Sequence, residues 1–226
     1  MIRFDQVSKR YATGQEALSG LSFQVEPGEM VFVTGHSGAG KSTLLKLLAM
    51  IERPTRGTVT VDGRNLSTAR AGSIPRLRRK LGMVFQDHRL LMDRSVFANV
   101  ALPLVIAGIA PAERARRVRA ALEKVGLLSY EKQAPAMLST GEQQRVGIAR
   151  AIVAKPPLII ADEPTGNLDP QLAAEIMGLF DALQNVGTTV LVASHDLMLI
   201  KRTRKRVLVL DHGRLVDDVP ATEVRS

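Results

Sequence analysis

The sequence contains no cysteine among its 226 residues, and this absence excludes three kinds of chemistry. A disulfide framework, a thiolate metal site and a cysteine nucleophile all need that residue. The lack of cysteine also fits a reducing compartment, and we expect the cytosol.

Long hydrophobic runs are also missing. The N-terminus has no apolar stretch of signal-peptide length, so we do not expect export. The most apolar stretch, residues 100–110, is about half the ~20 residues that a membrane-spanning helix needs. Pro103 and Gly108 also interrupt this stretch. Any role at a membrane is therefore expected to be peripheral or to depend on a partner.

Acidic residues are fewer than basic ones. The chain has 31 Lys and Arg against 22 Asp and Glu, a formal net charge of +9 and an isoelectric point near 10.3. This charge favours an anionic partner, which could be a nucleotide, a nucleic acid or an acidic lipid surface. With 45% apolar and 23% charged residues the chain can bury a core. Its length predicts one large domain or a domain with an embedded subdomain.

Short apolar runs alternate with longer helical patterns, which is typical of an α/β fold. Several of the predicted strands have no polar alternation, as expected for a sheet that is covered on both faces. A hairpin turn is predicted at residues 211–213. Residues 87–154 contain no strand-like run and are interpreted as a helical insertion into the α/β core. The predicted strands span residues 30–34, 57–61, 82–85, 158–162, 188–194 and 206–210, and the predicted helices span residues 41–50, 111–125, 140–154, 170–186 and 196–202.

Residues 35–43 match the phosphate-binding loop pattern, with an apolar strand before them and a helix after them. The glycines let the backbone curl so that successive amide groups face one point, where the helix N-terminus adds partial positive charge. In this interpretation the lysine contacts the β- and γ-phosphates, and the serine after it ligates Mg²⁺. A Gly-rich turn that matches by chance is the alternative, and the strand and helix in register count against it. The predicted phosphate-binding residues are Gly35, His36, Ser37, Gly38, Ala39, Gly40, Lys41, Ser42 and Thr43.

An acidic residue that can serve as the second ligand for the metal stands at the end of the predicted strand 158–162. Asp162 is placed to hold Mg²⁺, directly or through water. Glu163 is the candidate general base for the water that attacks the γ-phosphate. A strand that ends in Asp-Glu is by itself more often a strand-end cap than a site, but the phosphate loop makes the pair a strong signal.

Between these two motifs lies the segment Leu-Ser-Thr-Gly-Glu-Gln-Gln-Arg, residues 138–145. Here the chain resembles the ATP-binding cassette (ABC) family, whose hallmark is a Leu-Ser-Gly-Gly-Gln signature upstream of the metal-binding strand. Thr140 stands where this signature has its first glycine, and it adds bulk. Glu142 stands where the signature most commonly has glutamine. From the residues alone, Ser139 is an N-cap for the following helix. The resemblance implies more, namely that Ser139, Thr140, Gly141 and Glu142 bind the γ-phosphate of an ATP molecule held by a second subunit.

Four further positions match the family in order along the chain. The resemblance implies that Tyr11 stacks on adenine and that Gln86 senses Mg²⁺ beside a coupling surface. It also implies that Asp169 belongs to a loop, residues 166–169, that crosses the subunit interface, and that His195 contacts the γ-phosphate. Taken singly, Tyr11 would more often be a core residue, and His195 a buried or strand-end residue.

The resemblance implies a P-loop NTPase fold with a RecA-like core, an antiparallel β subdomain and an inserted helical subdomain. We place the core in residues 1–86 and 157–226 and the helical subdomain in about residues 87–156. The family also implies an ATP-bound, head-to-tail homodimer that contains Mg²⁺. Hydrolysis at Glu163 then removes the γ-phosphate that bridges the two subunits, and the dimer loosens.

Within the family, the stretches at residues 35–46, 85–104 and 141–150 are similar to those of bacterial cell-division ATPases. This similarity implies an FtsX-like integral membrane protein as partner and control of peptidoglycan hydrolases across the membrane. It also implies a peripheral location on the cytoplasmic face of the inner membrane, at the division septum. Indirect contact with other division proteins is a further implication.

Two other functions stay open. The motifs are close to those of the ATPase subunits of exporters and lipoprotein-release systems. The basic charge would also suit a soluble ABC protein that acts on nucleic acid, but such proteins usually have two cassettes or a long inserted arm, so no nucleic-acid partner is expected. Basic runs at residues 76–80, 114–119 and 201–206 are interpreted as solvated faces, or as surfaces that face anionic lipid.

The segment after Gln86 carries a high density of apolar side chains. In the family the corresponding surface forms a groove for a short cytoplasmic helix of the membrane partner, and such binding uses apolar anchors. We predict that Leu90, Leu91 and Met92 are exposed there. Val96 and Phe97 are predicted to belong to the core.

Overall fold

Ten strands form two sheets in the computed structural model, which describes residues 1–224. The strands are β1 (Ile2–Arg10), β2 (Glu16–Val25), β3 (Met30–Thr34), β4 (Arg56–Val61), β5 (Arg64–Asn65), β6 (Leu81–Val84), β7 (Leu158–Asp162), β8 (Thr189–Ala193), β9 (Arg206–Asp211) and β10 (Arg214–Val219). The α-helices are α1 (Lys41–Leu48), α2 (Ile74–Arg78), α3 (Val96–Ile106), α4 (Pro111–Lys124), α5 (Thr140–Ile152), α6 (Pro170–Asn185) and α7 (Leu197–Thr203).

The larger sheet has six strands in the order β10-β9-β3-β8-β7-β6. All neighbouring pairs are parallel except β9 and β10, which form an antiparallel hairpin. Every residue of β3 and β8 is buried, which explains why these strands have no polar alternation in the sequence. Because the strands are parallel, the segments that follow β3, β6, β7 and β8 leave the sheet at the same edge.

The smaller sheet is antiparallel, with the order β2-β1-β4-β5. Phe4 of β1 and Phe23 of β2 stack across the pair with their ring centroids 4.6 Å apart. Of these strands, the apolar runs of the sequence predicted only β4. Irregular pairing along β1 and β2 breaks their period-two pattern, with register shifts after Phe4 and Val7.

Helices α3, α4 and α5 lie between β6 and β7, and residues 87–154, all of which the structure describes, contain no strand. The prediction that this segment contains no strand is therefore confirmed. Helix α3 was not predicted, because Pro103 lies inside it. A proline removes one helical hydrogen bond, and the buried side chains of Val96, Val100 and Leu104 still hold this helix against the core.

Two apolar cores lie on the two faces of the larger sheet. Alternate residues of β3 contribute to each, with Phe32 in one core and Val33 in the other. The first core joins the sheet to α3–α6, and the second joins it to α1 and the smaller sheet. In the part of the chain that the structure describes, no helix has the length and apolar character needed to cross a membrane.

Candidate functional site

The loop between β3 and α1 forms the centre of the site. Gly40 is the N-cap of α1 and has a φ of 108°, a value that residues other than glycine rarely adopt. A Cβ atom there would also come within 2.7 Å of the carbonyl oxygen of Ala17. The Lys41 ammonium group curls back and donates hydrogen bonds to the carbonyls of Gly35 at 2.7 Å and His36 at 3.2 Å. The loop therefore wraps around its own lysine at a helix N-terminus, the arrangement that binds phosphate groups.

A cavity of about 670 Å³ opens beside this loop. Its volume suits a small-molecule ligand of nucleotide size. Most of the sequence-predicted site residues meet here, although they come from five separate segments of the chain. The lining residues are Tyr11, Gln15, Ala17, His36, Ser37, Gly38, Gly40, Lys41, Ser42, Thr43, Lys46, Gln86, Asp162, Glu163 and His195.

Gly35 and Ala39 belong to the loop but do not line the cavity. A Cβ atom on Gly35 would collide with the carbonyl oxygen of Leu210 in β9. Ala39 is fully buried, and its amide donates to the carbonyl of His36 at 3.1 Å. These two residues let the loop pack closely on the turn between β9 and β10, which sets the loop's shape.

Asp162 stands at the end of β7 and faces Ser42, the serine of the loop. Burial raises the pKa of the Asp162 carboxyl, although its hydrogen bond with Ser42 acts in the opposite direction. The half-buried carboxylate of Asp162, the Ser42 hydroxyl and the side-chain amide oxygen of Gln86 are all hard oxygen ligands, and all three residues line the cavity. This donor set fits Mg²⁺, which binds through one or two carboxylates together with substrate phosphates.

Glu163 comes directly after the strand and has a φ of 48°, in the left-handed region. Its amide donates to the carbonyl of Ala193 in β8 at 2.9 Å, which holds the turned backbone in place. A non-glycine residue in this conformation is uncommon and costs energy, and such residues cluster at functional sites. Its carboxylate oxygen lies 2.7 Å from Nδ1 of His195, which follows β8. The two candidate catalytic side chains therefore form a pair at the cavity.

Tyr11 is half-buried at the cavity wall and belongs to a turn, in which its amide donates to the carbonyl of Gln15 at 2.9 Å. The Lys9 ammonium group lies 5.1 Å from the centroid of the Tyr11 ring. The Tyr11 hydroxyl lies 3.3 Å from the Thr43 hydroxyl. The ring is thus fixed next to the phosphate loop, where a flat base could stack on it.

Ser139, Thr140, Gly141, Glu142 and Asp169 do not line this cavity. Ser139 and Glu142 form a capping box at the start of α5, because each side chain bonds the other's backbone amide, at 2.8 Å and 3.3 Å. These bonds to Ser139 lower the pKa of Glu142. The sequence pattern Ser-x-x-Glu already contained this signal, which the prediction of an N-cap used only in part.

Asp169 caps α6 by accepting hydrogen bonds from the amides of Gln171 and Leu172 at 3.1 and 3.0 Å. The loop before it packs on the start of α5, where a Cβ atom on Gly141 would lie 3.2 Å from the Leu168 side chain. The signature segment and the 166–169 loop therefore form one surface, apart from the chain's own phosphate loop.

Three cavity residues were not predicted from the sequence: Gln15, Ala17 and Lys46. Gln15 and Ala17 come from the entrance to β2, a strand that was not predicted because its pairing with β1 is irregular. Lys46 lies on α1, and its spacing of five residues from Lys41 gives no motif that would mark it.

The segment after Gln86 differs partly from its prediction. Leu91 and Met92 are 42% and 51% exposed. Leu90 is buried, with only 9% of its surface exposed, so its predicted exposure was wrong. His88 and Arg89 both have positive φ, and this tight turn directs Leu90 into the core. Val96 is buried and Phe97 packs against the same core, as predicted.

An apolar groove of about 370 Å³ lies near this segment and does not include Leu91 or Met92. Its walls come from α3 (Leu102, Pro103 and Ile106) and from α2, β6 and α5. Arg150 connects the two features, because it lines the groove and donates to the carbonyls of His88 and Arg89 at 2.6 and 2.7 Å.

Comparison with known proteins gives a consistent result. The ABC transporter family model matches residues 18–166. The cell division ATP-binding protein FtsE of Escherichia coli is 56% identical over 215 residues, which are 95% of this chain and 97% of that protein. FtsE of Bacillus subtilis is 44% identical over 226 residues, 100% of this chain and 99% of the relative.

Solved structures are similar over the whole chain. The ATP-binding cassette MJ0796, in a dimeric post-hydrolysis state bound to ADP and phosphate, superposes with a TM-score of 0.93 at 32% identity and covers 100% of both chains. The protein cbiO1 from Clostridium perfringens, part of the ABC transporter complex cbiONQ, gives a TM-score of 0.87 at 32% identity, over 99% of this chain and 89% of cbiO1.

Proposed function

The chain belongs to the ABC transporter family of ATPases, and on this premise we propose that it is the ATP-hydrolysing subunit of an FtsEX-like inner-membrane complex in cell division. One observation carries the proposal: the cell-division relatives from Escherichia coli and Bacillus subtilis are 56% and 44% identical to the chain over 95% or more of its length. The proposal assigns the groups that ATP hydrolysis needs to residues that line the cavity described above.

The proposed reaction is in-line attack of water on the γ-phosphate of ATP. Glu163 accepts a proton from the water, whose oxygen forms a bond to the γ-phosphorus while the bond to the β-phosphate oxygen breaks and ADP leaves. Lys41 and the amides of the phosphate loop hold the β- and γ-phosphates. Asp162, Ser42 and Gln86 would hold Mg²⁺, which neutralises developing phosphate charge when it is bound.

His195 is proposed to orient this base and to contact the γ-phosphate. A carboxylate can only accept a hydrogen bond, so Nδ1 of His195 donates to Glu163. This contact leaves the second carboxylate oxygen of Glu163 for water. A γ-phosphate oxygen also accepts hydrogen bonds, so contact with it through Nε2 of His195 needs a proton on that nitrogen as well. Tyr11 is proposed to stack on adenine, a contact that any aromatic face can make.

We propose that ATP closes two copies of the chain head to tail. Ser139, Thr140, Gly141 and Glu142 would then contact the nucleotide held by the other copy, with Asp169 at the interface. Two observations support this arrangement: the signature segment does not line the chain's own cavity, and the cassette MJ0796 forms dimers. Loss of the γ-phosphate would remove contacts that join the copies, and the dimer would loosen.

Residues 87–156 are proposed to form a helical subdomain that contacts an FtsX-like integral membrane protein. The exposed side chains of Leu91 and Met92, and the groove at α3, provide apolar surface for a cytoplasmic helix of that partner. In this proposal the chain lies on the cytoplasmic face of the inner membrane at the septum. Closure of the ATP-bound dimer would change the conformation of the membrane partner, which regulates peptidoglycan hydrolysis. Through this partner the chain would contact other division proteins indirectly.

A lipoprotein-release or export transporter is the second candidate. It is favoured by the likeness to cbiO1, which belongs to a transporter complex. Co-purification separates the two: the chain is co-expressed with an FtsX-like membrane protein or with the permease of a lipoprotein-release system, and each membrane protein is captured from detergent. We expect capture of the chain with the FtsX-like protein only. Capture with the permease alone would favour the second candidate.

A further inference from the structure

Three side chains converge where the phosphate loop meets the turn between β9 and β10. Nε2 of His36 lies 3.0 Å from Oδ1 of Asp211, and Nε2 of His212 lies 3.8 Å from the same oxygen. One ligand atom from each residue can be chosen so that all lie within 4.8 Å of one another. None of these residues takes part in the ATPase chemistry as a base or nucleophile.

The hydrogen bonds of His36 decide what can lie between it and Asp211. Nδ1 of His36 lies 2.6 Å from the backbone carbonyl oxygen of Ser37. That oxygen can only accept, so Nδ1 carries the ring proton of the neutral imidazole. Nε2 then presents a lone pair to a carboxylate oxygen 3.0 Å away, and the carboxylate is also an acceptor. A cation, either a proton or a metal ion, must lie between two such atoms.

His212 makes the metal ion the better of these two cations. Its ring centroid lies 4.8 Å from that of His36, with the two planes at 56°. A proton between Nε2 of His36 and Asp211 joins only these two side chains and leaves the His212 ring, 3.8 Å from the same oxygen, unused. One divalent ion on Asp211 can instead be shared by the lone pairs of both imidazoles.

We propose that His36, Asp211 and His212 form a site for a divalent transition-metal ion, and the ion that we expect is Zn²⁺. Imidazole and carboxylate are ordinary zinc ligands, at about 2.0 to 2.2 Å from the ion. Three such donors around one ion lie about 3 to 4 Å apart, which the side chains can reach with small rotations. All three residues are exposed, so water can fill the fourth position. The bond from Nδ1 of His36 to a backbone carbonyl is the outer-shell contact that orients a metal-bound histidine.

The ion would connect two elements that are already in contact. The amide of Gly213 donates to the carbonyl of Ala39 at 3.0 Å, and Gly35 packs against the carbonyl of Leu210. His212 and Gly213 have φ values of 44° and 77°, as a two-residue hairpin turn requires. Zn²⁺ at this point would therefore clamp the phosphate loop to the hairpin at the rim of the cavity, which His36 lines and Asp211 and His212 do not.

The first test is calorimetric titration of the full chain with Zn²⁺, without nucleotide or Mg²⁺. The expected result is one ion per chain. His212→Asn keeps a residue that tolerates positive φ and removes the imidazole, so we expect an affinity at least ~10-fold lower. Asp211→Asn should have a similar effect. The matched control His195→Asn removes a histidine outside the site and should leave the affinity within about twofold.

A second measurement keeps the test independent of ATP hydrolysis. Hydrogen exchange of the amides in residues 35–40 should slow when Zn²⁺ is added to the parent protein but not when it is added to His212→Asn. Absence of Zn²⁺ binding to the folded parent would overturn the proposal and leave a protonated ion pair. Binding that His195→Asn abolishes and His212→Asn does not would also overturn it. Neither result bears on the function in cell division.

Discussion

The carboxylate of Glu163 and Nδ1 of His195 are 2.7 Å apart, although 32 residues separate them in the chain. Glu163 is largely buried, with 12% of its side chain exposed, while His195 is 71% exposed at the cavity. The parallel pairing of β7 with β8 produces this contact, because the two residues follow adjacent strand ends. The histidine thus holds the carboxylate of the proposed base at the cavity.

Glu163→Gln should abolish hydrolysis and leave ATP binding intact. The amide keeps the size of the side chain but cannot take a proton from water, and a positioned general base is worth about 10²–10⁴-fold in rate. We expect phosphate release to fall at least ~100-fold and the protein to elute as a dimer in gel filtration with ATP and Mg²⁺. Glu175→Gln, an exposed change on α6, is the control. Near-normal phosphate release, or a monomer with bound ATP, would contradict the role given to Glu163.

Lys41→Ala should impair ATP binding, the step that precedes hydrolysis. The ammonium group now donates to two loop carbonyls, and we expect it to transfer to the phosphates when ATP enters. A charged hydrogen-bonding group of this kind contributes about 1.5–3 kcal/mol, so ATP affinity should fall roughly 10- to 100-fold. Equilibrium binding of a fluorescent ATP analogue measures it, with Lys124→Ala on α4 as the control. Parental affinity in Lys41→Ala would mean that the loop does not bind phosphate.

The phosphate loop could be predicted from the sequence because its parts are contiguous, and the buried strands could be predicted because β3, β7 and β8 are almost unbroken apolar runs. The strands β1 and β2 could not be predicted in the same way. Their bulges shift the register, so the apolar residues no longer alternate regularly. Since Gln15 and Ala17 reach the cavity from that sheet, this part of the site was missed as well.

The burial of Leu90 also depends on information that the sequence does not make plain. The turn before it needs two consecutive non-glycine residues at positive φ, His88 and Arg89. Arg150 stabilises this turn from α5 through the carbonyls of both residues. A contact across about sixty residues decides which side chains of the segment reach solvent, and local apolar density cannot indicate it.

Asp162→Asn should stabilise the protein without nucleotide while weakening hydrolysis of ATP with Mg²⁺. Burial raises the pKa of Asp162 above its ordinary value of 3.8, so the folded state binds this proton more strongly than the unfolded state. Stability contributed by this group is therefore lost as pH rises through the raised pKa. Asparagine carries no charge at any pH, so the variant should have a higher free energy of unfolding at pH 7.

Urea denaturation without Mg²⁺ measures this difference, which should shrink as the pH falls from 7 toward the ordinary pKa of the carboxyl. Asp93→Asn changes a carboxylate that is 76% exposed and should show no such dependence. A variant that is less stable than the parent at pH 7 would mean that the ionised carboxylate has favourable partners in the fold.

Thr140→Gly should tighten the ATP-dependent dimer. Thr140 is the first residue of α5 and is exposed, so its side chain adds bulk at the proposed interface without supporting the core. The opposing effect is a loss of helix propensity, below about 1 kcal/mol in a first turn. Dimer dissociation constants measured with ATP in the Glu163→Gln background decide the matter. Thr140→Ser is the matched variant, and a large loss of affinity in Thr140→Gly alone would mean that the hydroxyl makes a needed contact.

Changing Leu91 and Met92 together to Ser should weaken recruitment to the membrane while leaving ATP binding intact. Their side chains are exposed, whereas the backbone of Leu91 is held independently by the buried side chain of Asn99. Asn99 accepts from the amide of Leu91 at 2.7 Å and donates to its carbonyl at 2.9 Å. The double variant should therefore fold, which thermal unfolding and ATP affinity can verify before any binding experiment.

The chain offers a closely matched control for this variant in Leu197 and Met198. They are also adjacent, are 60% and 63% exposed, and begin α7 outside the proposed coupling surface. We expect the Leu91 and Met92 double variant to co-purify with the FtsX-like membrane protein at least ~10-fold less efficiently than the parent, because two buried apolar anchors contribute about 1.5–3 kcal/mol each. The Leu197 and Met198 double variant should co-purify normally. If the folded Leu91 and Met92 variant is recovered with the partner as well as the parent is, the partner does not contact this segment, and the groove at α3 becomes the remaining candidate for coupling.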